Sequence, residues 1–171
     1  MDVISFLREQ AQWAHFVFDG TTADVTPESA HALPSGAALS VAAAMAHAVF
    51  AEDNIIHGML QGQAPLAMSS FTGKTGISDP QMFNTPAWVR SVRLDLPMFR
   101  EYAKATFAAT DAYIASLKDT ELGREIDLTQ VGLGKQTVGW CLSSLIVGHM
   151  HNLVGEISAA KGLQGLKGYP F

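Results

Sequence analysis

Residues 36–60, GAALSVAAAMAHAVFAEDNIIHGML, decide the fold of this chain. The segment contains no proline and is rich in alanine, methionine and leucine, which are good helix formers. Gly62 follows it as a natural helix stop. We therefore predict a long helix that begins at Ser35 or Gly36 and ends at Leu60. Its Ala-rich apolar part, residues 36–51, is shorter than the ~18 to 20 residues that span a membrane.

Three further segments show the 3.6-residue periodicity of amphipathic helices. The first covers residues 2–19 and is expected to stop at Gly20. The next is capped by Asp95 and runs to Leu117, within a longer helical stretch that we expect Pro97 to interrupt. The last covers residues 137–161, with Gly162 as its C-cap.

Irregular segments separate these helices. Residues 62–86 hold several prolines and glycines and form the longest of them, and loops of that length in compact domains are often functional. Residues 124–138 alternate and turn at Gly132 and Gly134, which predicts a small hairpin or extended connector before the last helix. The tail after Gly162 is expected to dock on the bundle, ending on Tyr169, Pro170 and Phe171. The pattern predicts an all-α four-helix bundle, with residues 1–171 as one domain.

Composition limits the classes of function. Hydrophobic residues make up 48% of the 171 residues and charged residues only 16%, so we expect apolar surface to be buried in a homodimer. The net charge is −5 and no Lys/Arg cluster is present, which argues against binding to nucleic acid. The single cysteine, Cys141, excludes an intrachain disulfide. No signal peptide is evident in MDVISFLREQ, and we expect a cytoplasmic protein with no membrane contact.

Histidines are the main candidates for chemistry. His47 lies in the most apolar part of the second long helix, and His149 lies on the apolar stripe of the last one. His151 is only two residues from His149, and that spacing points the two rings about 200° apart on a helix. The alternative for His47 is a core histidine bonded to a carbonyl or hydroxyl. His57 follows Asp53 by four residues, a spacing typical of a salt-bridged surface pair.

The order of several segments resembles the DinB/YfiT-like superfamily. They are LREQAQWAHFVF in the first helix, AHAVFAED in the second, HMHNLVGEI in the last, and the tail GLQGLKGYPF. The resemblance implies a four-helix bundle of up-down-down-up topology, often dimeric. It also implies a metal site of three histidines, one from the second helix and an H-x-x-x-H pair from the fourth, commonly holding nickel or zinc. Family members with known activity include thiol-dependent transferases and isomerases.

Carried over position by position, the resemblance assigns two metal ligands, His47 and His149. The third ligand is expected four residues after His149, and Leu153 stands there without a donor atom. Help from Asn152, His151 or His15 is conceivable, although none occupies the expected position.

We therefore expect a degenerate site in which a divalent metal, nickel or zinc, is weakly bound or absent. The expected function is a ligand-binding or non-catalytic bundle, with a small molecule as its partner. The alternative is a divalent-metal-dependent enzyme, a thiol-dependent transferase or hydrolase acting on a small molecule. In that case segment 62–86 would help to shape its pocket.

Overall fold

The computed structural model describes residues 1–171, most of which lie in four long helical segments. The first is α1, Val3–Thr22. The second is α3, Val41–Asp53, which continues without a break as a π-helix over Asn54–Leu60. The third is α5, Leu96–Ser116. The fourth runs from α6, Val138–Trp140, through a π-helix, Cys141–Gly148, into α7, His149–Gly162.

Shorter elements connect these segments. They are the helices α2, Pro27–His31, and α4, Pro86–Ser91, and the 3₁₀ turns Leu66–Met68, Asp119–Gly123 and Thr129–Val131. Strands β1, Glu125–Leu128, and β2, Gly134–Thr137, pair antiparallel with Glu125 opposite Thr137. The predicted hairpin before the last helix is therefore confirmed. No helix in the structure is long and apolar enough to cross a membrane.

Side-chain caps explain where the helices begin. Asp2 accepts a hydrogen bond from the Ser5 amide at the start of α1, and Ser40 accepts one from Ala43 at the start of α3. Asp95 caps α5 as predicted. Each cap satisfies a backbone N–H that has no partner within its own helix.

Two predicted helix boundaries were wrong. The second long helix begins at Val41, because residues 35–39 form a turn in which Gly36 has a φ of +73°. Gly20 does not end α1 but lies inside it. A Cβ at Gly20 would lie 2.7 Å from the Pro170 Cβ, so this glycine makes room for the C-terminal tail. The predicted docking of the tail is confirmed by the same contact.

The predicted interruption at Pro97 was also wrong. Pro97 lies in the first turn of α5, where the missing N–H costs nothing. The break falls earlier, at residues 92–95, where Leu94 forms an isolated β-bridge with Ile77.

The four long segments pack around a common core. α1 lies against α5 and α7, and α3 lies against the same two helices. The larger apolar cluster joins the second half of α1 to α3, the first half of α5 and α7, and a smaller cluster lies at the other end. Because α3 is enclosed on nearly every side, each of its residues is buried except His47. His47 is thus the one residue of α3 that keeps appreciable exposure to solvent.

Asp53 holds the irregular segment 62–86 against the bundle. Its carboxylate is fully buried and accepts hydrogen bonds from the amides of Leu66 and Ala67 at 2.8 and 2.9 Å. It also accepts one from the Tyr102 hydroxyl at 2.7 Å, and His57 Nδ1 lies 2.8 Å from it. The prediction of a surface Asp53–His57 pair was therefore wrong, because the docked segment covers both residues.

Candidate functional site

His47 and His149 meet between α3 and α7. Their ring centroids lie 5.0 Å apart in an edge-to-face arrangement, with the ring planes at 89°. Both residues are half-buried. His47 Nδ1 is buried and makes no hydrogen bond, so the expected carbonyl or hydroxyl partner of this nitrogen is missing. The structure thus brings together the two histidines that the resemblance singled out, although they are about a hundred residues apart in the chain.

The surroundings keep both rings neutral. Burial, reinforced by the neighbouring His149, lowers the pKa of His47 to about 4. Burial also lowers the pKa of His149, and the negative charge of Glu52 partly opposes this shift. Neutral imidazoles are the form that binds metal ions, because their lone pairs are free.

Leu153 follows His149 by one helical turn and lies on the same face of α7. Its side chain is 3% exposed and belongs to the larger apolar cluster. Position 153 therefore presents packed hydrocarbon and no donor atom. No group of three or more His, Cys, Asp or Glu side chains in the molecule could together hold a metal ion.

Residues considered as substitutes lie elsewhere or are tied to other partners. Asn152 is exposed, and His151 is half-buried without a hydrogen bond. His15 is paired with Glu52 at 2.9 Å instead of facing the two histidines. The donor set therefore does not supply the three histidines that the resemblance implies.

Of the other histidines, His31 has a structural role. Its Nδ1 lies 2.8 Å from the Pro27 carbonyl, and its Nε2 accepts a hydrogen bond from the Leu94 amide at 3.0 Å. These two contacts define which ring nitrogen carries the proton and tie α2 to the start of α5.

Glu52 is the buried group that the sequence prediction missed. It is 2% exposed, accepts a hydrogen bond from Thr110 Oγ1 at 2.5 Å, and faces His15 Nε2. These contacts join α1, α3 and α5 through one carboxylate. The available signal was the pair Glu52–Asp53, two acids within an otherwise apolar helix. Acids are rarely fully buried unless they have partners.

The principal cavities of the molecule lie away from the two histidines. None of the five is lined by His47 or His149. Segment 62–86 borders two of them, one beside Asp95 and Met98 and one lined by Asn84 and Pro86. The expectation that this segment shapes a pocket over the histidine pair is thus not supported by the cavities.

The sequence matches the model of the DinB superfamily over residues 10–153. The matched region includes the whole of α3 and α5, most of α1, and the start of α7 with His149. The chain therefore belongs to the DinB superfamily.

A similar solved structure supports the same assignment. It is the crystal structure of a conserved protein from Enterococcus faecalis, with 26% sequence identity and a TM-score of 0.77. The similarity covers 95% of this chain and 99% of that one. No curated protein matches this sequence.

Proposed function

We propose that this protein is a DinB-superfamily bundle with a degenerate metal site, which binds a ligand or partner without a tightly held catalytic metal. The observation that carries the proposal is Leu153, a buried apolar side chain one turn after His149 on the same helix face. His47 and His149 remain as a neutral pair. Two imidazoles are one ligand short of the three protein ligands typical of catalytic zinc sites.

The alternative function is a divalent-metal-dependent enzyme, a thiol-dependent transferase or hydrolase. One observation favours it: His47 Nδ1 is buried without a partner, and a bound cation would satisfy that lone pair. The absence of a third donor counts against it. Because the donor set does not fit, we derive no catalytic step through a metal.

Metal content and metal-induced stabilisation separate the two functions. The untagged protein is expected to purify without stoichiometric nickel or zinc, and either ion should leave its melting temperature unchanged. Leu153→His should supply the missing ligand, so that zinc raises the melting temperature of this variant. At a free zinc concentration 100 times the dissociation constant, binding contributes about 2.7 kcal/mol to the stability of the folded protein.

Ile157→His is the matched control. Ile157 is fully buried and lies one further turn along α7, so both variants place a polar ring in the same core. Zinc should stabilise only the variant at position 153. Stoichiometric metal in the wild-type protein, lost in His47→Ala, would contradict the proposal even if neither core variant folds.

We further infer that residues 1–171 form a single cytoplasmic domain whose long helices run up-down-down-up. Membership of the two core clusters supports the topology. The smaller cluster holds Leu7 from the start of α1, Ile114 from the end of α5 and Leu142 from the beginning of the last segment. It also holds Leu60, the last residue of the second long segment.

We also propose a homodimer that uses the outer face of α1. Large apolar side chains lie exposed there at helical spacing, with Phe6 51% and Trp13 47% exposed. Apolar stripes of this kind commonly mark protein interfaces. Sedimentation equilibrium should show a dimer, and Trp13→Glu should shift it to monomer. A wild-type monomer at high micromolar concentration would refute the proposal.

A further inference from the structure

A second site is built around His15, between α1 and α5. Glu52 approaches His15 Nε2 with both carboxylate oxygens, at 2.9 and 3.1 Å. The side chains of His15 and Glu52 are 9% and 2% exposed. A carboxylate only accepts hydrogen bonds, so Nε2 must carry a proton and donate. In the neutral imidazole the other nitrogen, Nδ1, is then an acceptor.

His15 Nδ1 has no partner within the protein. It makes no hydrogen bond, and it is not a fully buried atom, so a ligand can reach it. The ring itself is held firmly, because Phe107 stacks on it with centroids 3.9 Å apart and planes 11° apart. Glu52 on the opposite edge of the ring and Phe107 on its face therefore fix the orientation of the Nδ1 acceptor before a ligand binds.

His15 lines a groove of about 570 Å³. Four phenylalanines from α1 and α5 line it: Phe16 is exposed at its side, whereas Phe18, Phe99 and Phe107 are buried at its base. Charged side chains of both signs, including Asp19, Arg100 and Lys104, also line the groove. Arg100 is engaged with the carbonyls of Thr22 and Ala23. The groove thus favours a flat apolar body over a ligand of high net charge, and it offers one acceptor.

We propose that this groove binds a small aromatic molecule carrying one O–H or N–H donor, which donates to His15 Nδ1 while its ring packs among the phenylalanines. Aromatic rings gain from stacked or edge-to-face packing beyond their buried area. A buried acceptor left unpaired disfavours an analogue that lacks the donor. The groove is separate from the His47–His149 pair, since neither of these histidines lines it. Glu52 on α3 connects the two places, because it contacts His15 and its charge also acts on His149.

Phenol and anisole test the proposal in the intact protein. The two probes have similar rings, but the methyl group of anisole removes the donor. Titrations at pH 7.5, followed by chemical-shift changes of the His15 ring, should give phenol about tenfold tighter binding than anisole. Equal affinities, or no binding of either probe at millimolar concentration, would overturn the proposal.

Glu52→Gln tests the role of the fixed tautomer. The glutamine oxygen can still accept from Thr110, while its amide donates to His15 Nε2 and moves the ring proton to Nδ1. The preference for phenol over anisole should then fall to about one. His15→Phe, followed through the Phe107 ring because it lacks the His15 probe, should do the same. Glu156→Gln changes an exposed carboxylate outside the groove and should leave the preference unchanged. Retention of the tenfold preference in a folded Glu52→Gln variant would refute the assignment of Nδ1.

Discussion

Replacing Asp53 tests whether one carboxylate holds the irregular segment 62–86. In Asp53→Ala three donors lose their acceptor: the Leu66 and Ala67 amides and the Tyr102 hydroxyl. A buried donor without a partner costs about 1–3 kcal/mol. Burial, and then the charge of Asp53, raise the pKa of Tyr102, so its phenol remains a donor.

The magnitude follows from the exposure of the three donors. Leu66 and Ala67 are half-buried, so water can reach their amides once the segment loosens, whereas Tyr102 is fully buried. We therefore expect Asp53→Ala to lower the free energy of unfolding by about 3–5 kcal/mol, since the buried Tyr102 hydroxyl contributes about 1–3 kcal/mol and each half-buried amide adds a smaller loss. Asp53→Asn keeps the shape but turns an amide NH₂ toward one donor. It should cost about 1–3 kcal/mol.

Urea unfolding followed by circular dichroism measures these losses, and hydrogen exchange locates them. Exchange should accelerate at Leu66 and Ala67 before the rest of the bundle opens. Asp79→Asn is the matched control, because Asp79 lies in the same segment but is exposed, and its side chain contacts only Gln81. It should change stability by less than about 0.5 kcal/mol. An Asp53→Asn variant as stable as the control would refute the reasoning.

Two further predictions concern pH and backbone conformation. The pKa of His47 is lowered to about 4 from the usual 6.5, so below pH 6.5 the unfolded chain binds a proton that the folded chain does not. Stability should therefore fall as the pH drops through this window, and it should fall less steeply in His47→Leu. Urea titrations at pH 7 and 5 measure the free energy of unfolding of both proteins. Equal losses between the two pH values would contradict the assignment. Gly76→Ala should destabilise the protein by more than Gly73→Ala. Both glycines have a positive φ, but only at Gly76 would an added Cβ clash with backbone, at the Phe99 nitrogen. Thermal melts of the two variants compare the losses, and equal melting temperatures would count against the contact.

Much of the fold was predictable because helix formation is local. The caps Asp95 and Thr26 bond to amides only three residues away, so short windows of sequence contain their whole signal. The hairpin was predictable for the same reason. A predicted helix boundary was wrong where a glycine makes room for a residue distant in the chain, as Gly20 does for Pro170.

The same distinction between local and long-range contacts applies to the candidate site. That Leu153 shares a face with His149 follows from the helical period alone, and so does the divergence of His151. That His47 lies against His149 depends on the packing of α3 on α7, which the nearly uniform apolar sequence of α3 does not specify. An apolar helix without a polar face offers no periodicity from which to read its orientation.

The sequence by itself therefore determined the long helices and the hairpin, because each depends on neighbours a few residues apart. Only the tertiary structure decided the partners of the buried acids. His15 is 37 residues from Glu52, and Tyr102 is 49 residues from Asp53. Neither pairing leaves a local trace, since a carboxylate enters the core only where folding supplies donors from several helices at once.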